Sequence, residues 1–281
     1  MRLAVFQSMW GMEELPRGSA THWTFEEQID LIVKAGFDGV GVDFVDFEAA
    51  TRVCRLAADN QLSIQVLCFP ETIDDLKPVL ESVQEIGREH VHHINILPKP
   101  QPFTVAECLP YLEGWQELAD AAGIELHIET HRACMTNDLL FTLQLIEAAP
   151  WIKLTADLSH YVVGRAFPWP VDKVNDNYIH RITDRAFAYH GRVAAPEHTQ
   201  VPISFPHYKP WLDVFAKWWK DGFQSFRERA PEDATLTFTS ELGPPSYWFP
   251  MTGPDGVESS DRWEEAKQLG DVARELWGSL D

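Results

Sequence analysis

Eight short runs rich in aliphatic, β-branched and aromatic residues punctuate the chain, at 3–7, 39–43, 63–69, 91–97, 125–129, 152–157, 187–193 and 235–241. Each is followed by a longer stretch in which apolar residues recur every three to four positions: 24–35, 47–60, 73–89, 105–122, 138–149, 175–186, 210–228 and 260–280. Short apolar runs fit buried strands, and the 3.6-residue period fits amphipathic helices. Eight strand and helix alternations predict one α/β domain, a single (β/α)8 TIM barrel over residues 1–281. The chain length suits that architecture.

Local chemistry supports the boundaries. Ala35-Gly36-Phe37 and Ala122-Gly123-Ile124 read as helix ends leading directly into strands, with glycine ready for the left-handed cap. Thr136-Asn137-Asp138 and Ser259-Ser260-Asp261 offer capping oxygens ahead of the fifth and last helices. The proline-bearing loops at 98–102, 164–172, 196–210 and 243–256 all follow predicted strands, the side on which a barrel builds its pocket.

Bulk charge narrows the function classes. A net charge of -20, from 23 basic and 43 acidic residues, repels nucleic acid and anionic membranes as main partners. Cys54, Cys68, Cys108 and Cys134 form no C-x-x-C pair, so reduced structural thiols are expected. No long apolar segment or signal-type cleavage site follows the opening M-R-L-A-V-F, and a cytoplasmic protein is the expectation.

Four runs place a metal-capable side chain at or near a strand end: Glu129 in I-E-T-H, Asp157 in A-D-L-S-H, His190 in Y-H-G-R and Glu241 in S-E-L-G. They stand 28, 33 and 51 residues apart, one or more strand-helix units each time. Parallel strands would therefore bring all four to one barrel mouth. Each carboxylate alone is explained equally well as a helix cap or a solvated loop residue. Three carboxylates and one imidazole together favour one divalent ion, Mn2+ or Mg2+ first, with Co2+, Fe2+ or Zn2+ also admitted.

Neighbouring residues are candidates for substrate. His160 follows Asp157 by three positions and can share its cavity as a proton-transfer group, a substrate contact or a partner of the ligand itself. Arg192 shares a strand face with His190 and suits a substrate oxygen, or alternatively an ion pair with a loop acid such as Glu197. His131, Trp10 and Lys99 lie just beyond strands, with Trp10 placed to stack on a sugar face. Tyr247, Trp248 and Phe249 can wall the pocket, and His198 and His207 can contribute to a lid. The adjacent His92 and His93 face opposite ways along a regular strand and do not make a metal pair. Trp115, Trp218 and Trp219 fall in helical stretches and are expected in packing.

At I-E-T-H-R (128–132), T-A-D-L-S-H (155–160), Y-H-G-R-V (189–193), Q-V-P (200–202) and S-E-L-G-P-P (240–245) the chain resembles the xylose-isomerase-like TIM-barrel superfamily, in particular its sugar phosphate isomerase/epimerase group. The resemblance covers almost the whole chain. It implies metal binding by Glu129, Asp157, His190 and Glu241, and substrate contacts from His160 and Arg192. It also implies acid-base work by Glu129 and Glu241 on either side of a sugar carbonyl, passing through a metal-stabilised enediolate, and a homodimer or homotetramer. No glycine-rich phosphate cradle is present.

The leading expectation is a metal-dependent isomerase or epimerase of a small carbohydrate-like substrate. The same groups would equally serve a lyase or hydratase acting on a 3-keto sugar or keto-glycoside, and a non-catalytic sugar-binding protein is the third class. Related barrels include endonucleases, a reading that the acidic charge opposes.

Overall fold

A computed structural model of the chain, described here for residues 1–280, contains the eight expected strands. They are β1 (Arg2–Ser8), β2 (Gly39–Asp43), β3 (Ser63–Cys68), β4 (Val91–Ile96), β5 (Leu126–Glu129), β6 (Lys153–Ala156), β7 (Ala186–Gly191) and β8 (Thr235–Ser240). All pair in parallel in sequence order, and β8 returns to β1 to close the barrel. The helices are α1 (Phe25–Lys34), α2 (Phe47–Asp59), α3 (Leu76–Ile86), α4 (Val105–Ala122), α5 (Leu139–Ala148), α6 (Ser159–Gly164), α7 (Lys173–Thr183), α8 (Lys209–Arg229) and α9 (Arg262–Gly278). The short α6 is additional to the eight predicted helices and begins two residues after Asp157.

Helix starts are fixed by the expected chemistry. Asp138 accepts from the Phe141 backbone N–H at 2.8 Å, and Asp261 accepts from that of Glu264 at 3.1 Å. Thr24 with Glu27 and Thr104 with Glu107 form capping boxes, while Gly123 closes α4 at φ 65°. The outer core lies between strands and helices. There α8 buries Trp218, Trp219, Phe215, Phe223 and Phe226 completely, each contributing about 1.5–3 kcal/mol of apolar transfer. Trp115 is likewise fully buried, and all four cysteines are buried free thiols.

The barrel interior is polar along much of its height. In-register partners on parallel strands share a face, so Gly41, Gln65 and His93 point inward together, as do Asn95 with His127, Glu129 with Thr155, and His190 with Thr239. The side chains of Gln65, His93, Asn95, His127, Thr155, Thr237 and Thr239 are fully buried there. Below this layer His127 pairs with Glu125 at 2.7 Å, which also binds Lys153 at 3.0 Å. A register shift in the β3–β4 pairing breaks the regular alternation expected of His92 and His93. Their Nδ1 atoms come within 2.9 Å of each other, a partly buried contact near the start of β4, at the opposite end of the barrel from Glu129 and Glu241.

No helix among the described residues is long and apolar enough to cross a membrane.

Candidate metal centre

Glu129 is the last residue of β5, Asp157 follows β6, His190 lies near the end of β7 and Glu241 follows β8. Their inward atoms all lie within 4.8 Å of one another, and all four side chains are buried. Local contacts fix each one. Asn95 Nδ2 donates to Glu129 Oε2 at 2.6 Å, and Thr136 Oγ1 donates to the Glu129 carbonyl. Asp157 Oδ1 accepts from the Ser159 backbone N–H at 2.9 Å and from its hydroxyl, which ties the carboxylate to the start of α6. The side-chain amide of Gln65 meets His190 Nε2 at 3.0 Å, and its Oε1 accepts from Thr239. The Glu241 turn is held by Gln200, which accepts from Gly243 N–H at 2.7 Å and donates to the Gly243 carbonyl at 3.2 Å.

Two atoms in this cluster are buried without a hydrogen-bond partner, Glu129 Oε1 and His190 Nδ1. Nδ1 lies 3.4 Å from Glu129 Oε1 and 3.1 Å from Glu241 Oε2. Orphaned buried polar atoms are costly, and convergent ones fit a cation held between them. Three carboxylate oxygens and one imidazole nitrogen form a donor set suited to a hard or borderline divalent ion.

The charges are strongly interdependent. Burial opposes ionisation of Asp157, but Arg192, His160 and the Ser159 hydroxyl outweigh it and hold the carboxyl well below its usual range. Glu241 also stays low because His190 and Arg192 overcome the burial penalty. Glu129 is raised, chiefly by burial and further by the negative charges of Glu241 and Asp157, against the pull of His190. Burial disfavours the His190 imidazolium, yet Glu241 and Glu129 hold it well above the ordinary value.

Arg192 sits inside the cluster. Its Nη2 binds Asp157 Oδ2, reaches Glu241 Oε2 at 2.9 Å and lies 3.3 Å from His160 Nε2. It therefore pairs with two acids of the site rather than with Glu197. His160 Nε2 approaches Asp157 Oδ2 at 3.3 Å, and His160 Nδ1 is buried without a partner. The His131 ring stands 4.1 Å from that of His160, and its pKa falls to about 2 through burial, His160 and Arg192.

The aromatic residues after β1 and β8 close over this group. Phe249 lies 4.8 Å from the Arg192 guanidinium and 5.0 Å from the Trp10 ring, while Tyr247 packs edge-on against Trp10 at 5.4 Å. Gly243 runs beneath them: a Cβ there would stand 2.3 Å from Trp10 and 2.8 Å from Phe249. Trp10 thus faces the mouth, packed within this aromatic cover. Lys99 stands beside the mouth, its ammonium 5.7 Å above the Phe69 ring, which packs against Leu67, Leu97 and Cys134; Cys134 Sγ lies 3.7 Å from His131 Nδ1. His198 and His207 line a separate cavity of about 570 Å³ with Trp169 and Trp211.

Several residues at the site escaped the motif reading. Asn95 and Gln65 lie below strand ends, and only the inward parity of β4 and β3 points to them. Asp43 ends β2 on the inward face, with Oδ1 buried and unpartnered. Burial, followed by the charges of Glu241 and Glu129, pushes its pKa up to about 8. Arg262 opens α9 and reaches beneath the β1 and β8 loops, donating to the Gly11 and Glu13 carbonyls while paired with buried Glu258 at 3.0 Å.

This architecture is a (β/α)8 TIM barrel, a fold it shares with solved xylose isomerase-like structures. Similar solved structures include a D-psicose 3-epimerase determined with D-fructose, at 14% identity and TM-score 0.59, covering 99% of this chain and 100% of that one. A xylose isomerase-like TIM-barrel protein from Mycobacterium smegmatis in complex with magnesium matches at 12% identity and TM-score 0.59, covering 100% and 98% of the two chains. The E. coli 3-keto-D-glucoside 4-epimerase matches at 11% identity and TM-score 0.56, covering 98% and 100%. No protein-family profile and no curated protein sequence matches the chain.

Proposed function

We propose that this protein is a divalent-metal-dependent isomerase or epimerase of a sugar or related polyhydroxy carbonyl compound. The observation that carries the reading is the convergence of Glu129, Asp157, His190 and Glu241 within 4.8 Å, with Glu129 Oε1 and His190 Nδ1 left unpartnered. Its support from neighbours is that structures of this fold include two named sugar epimerases and one magnesium complex. Those four residues would hold the ion, with Mn2+ or Mg2+ the best match to the donor set.

When bound, a divalent ion supplies Lewis-acid polarisation of a carbonyl oxygen and stabilises negative charge developing there. Glu129 and Glu241 are the two carboxylates available to take a proton from the carbon beside the carbonyl and return one, through an enediolate. Arg192 and His160 would orient substrate oxygens, and His131, neutral at working pH, would add a further contact. Trp10 and Phe249 would cover the reacting carbons and exclude water.

Assays on a panel of ketoses and aldoses test this proposal. Chelated protein should be inactive, added Mn2+ should restore turnover, and reaction in D2O should put deuterium on the carbon beside the carbonyl without changing the substrate's skeleton. Failure to bind a divalent ion, or turnover indifferent to chelation, would sink the proposal. A second reading, elimination or hydration on a 3-keto sugar or keto-glycoside, is favoured by His160 Nδ1, whose unpartnered position suits proton donation to a leaving group. Product mass separates the two reactions.

A further inference from the structure

We infer that the cavity beside His160 is an oxyanion subsite, which takes a carboxylate or phosphate group carried by the substrate. The inference rests on the proposed sugar-converting site and adds a substrate class to it: an acidic or phosphorylated sugar in place of a neutral one. The cavity measures about 110 Å³ and is bordered by Arg132, Asn137, Asp138, His160, Arg165 and Thr199. That is roughly the volume of three or four water molecules, enough for one anionic headgroup and too little for a whole sugar.

Its cations are oriented without being neutralised. Arg132 Nη1 donates to Thr199 Oγ1 at 3.0 Å, and Arg165 Nε donates to Asn175 Oδ1 at 3.3 Å. Among the described residues neither arginine forms a salt bridge, although acids outnumber bases 43 to 23 in the chain. Each guanidinium carries five N–H donors in a planar fork, so most of the donors on each remain for an oxyanion. Asp138 is the one carboxylate on the border, and its Oδ1 is engaged by the Phe141 N–H in capping α5.

The cavity adjoins the candidate metal centre through His160. His160 borders it and also touches Asp157 at 3.3 Å. Arg132 and Arg192 contact the same Phe249 ring at 4.9 and 4.8 Å, which joins the cavity arginine to the one inside the carboxylate cluster. A protein with a net charge of -20 repels anions at long range. An anionic substrate therefore requires local cations of this kind beside the reacting centre.

The test uses full-length protein, loaded with diamagnetic Mg2+ for the NMR titrations and with Mn2+ for the affinities. Inorganic phosphate and acetate are titrated while the Nε–Hε NMR signals of Arg132 and Arg165 are followed. Affinities are then compared for D-fructose, D-fructose 6-phosphate and D-fructuronate. Saturable shifts of both arginine signals are expected, with an anionic sugar bound at least tenfold tighter than D-fructose. The preferred anion distinguishes phosphate from carboxylate. In R132A/R165A that tenfold preference should vanish while Mn2+ and D-fructose affinities hold. Unresponsive arginine signals overturn the inference even if no sugar binds, and so does equal affinity for the three sugars or a preference that survives in the double variant. Wild-type protein that fails to take up Mn2+ but still shows the arginine response retains the subsite and refutes the metal reading.

Discussion

Asn95 Nδ2 grips Glu129 Oε2 at 2.6 Å, leaving Oε1 of the same carboxylate to face His190 Nδ1 without a hydrogen bond. One oxygen is anchored to the barrel wall and the other is presented to the cluster. Hydrogen bonds of this kind orient metal ligands and commonly govern affinity. Asn95→Ala should weaken Mn2+ binding by roughly 10–100-fold with the fold retained. Competition with a metal-sensitive dye measures the effect, and unchanged affinity would remove Asn95 from the site.

Glu129→Gln and Glu241→Gln keep side-chain size while removing the proton acceptor. Turnover on the substrate that the screen identifies should fall by about 10²–10⁴-fold in each variant. Near-wild-type turnover in either, at saturating Mn2+, would exclude that carboxylate from proton transfer.

Asp43 supplies a pH test on chelated protein. Its pKa rises from the ordinary 3.8 to about 8 through burial and the nearby charges of Glu241 and Glu129. Between those values the folded state binds more protons at this position than the unfolded state, so the Asp43 contribution to stability falls as pH rises. Asp43→Asn should flatten the decline in urea midpoint between pH 5 and about pH 8. Parallel wild-type and variant curves would show that Asp43 is not the titrating group.

The Arg262–Glu258 pair tests how the mouth is braced. Arg262→Met leaves Glu258 buried without its cation and frees the Gly11 and Glu13 carbonyls. A loss of about 3–5 kcal/mol in unfolding free energy is expected, with part recovered in R262M/E258L. Urea denaturation reads both values, and a loss below 1 kcal/mol would show that other contacts hold these loops.

The alternation of apolar runs and helical periods made the barrel legible, because buried parallel strands and amphipathic helices carry different repeat lengths. The convergence of Glu129, Asp157, His190 and Glu241 was legible too, since each ends or follows a strand and the fold itself brings strand ends together. Asn95 and Gln65 were harder to find. They sit one step down inside the barrel, where an amide differs little in sequence pattern from any other buried polar residue. Arg132 and Arg165 belong to different loops, and only the folded chain places them on one cavity. Their lack of acidic partners is a three-dimensional property. The β3–β4 register shift that brings His92 to His93 likewise leaves no mark on the apolar pattern.

All four cluster acids and bases come from β5 to β8, whereas Trp10 and Asp43 belong to β1 and β2 and their loops. The barrel thereby keeps the metal-capable residues in one half, while both halves lend aromatic residues to the entrance, Trp10 after β1 and Phe249 after β8. Directed evolution confined to the loops after β1 and β2 would therefore vary one wall of the entrance without touching the residues that would hold the ion.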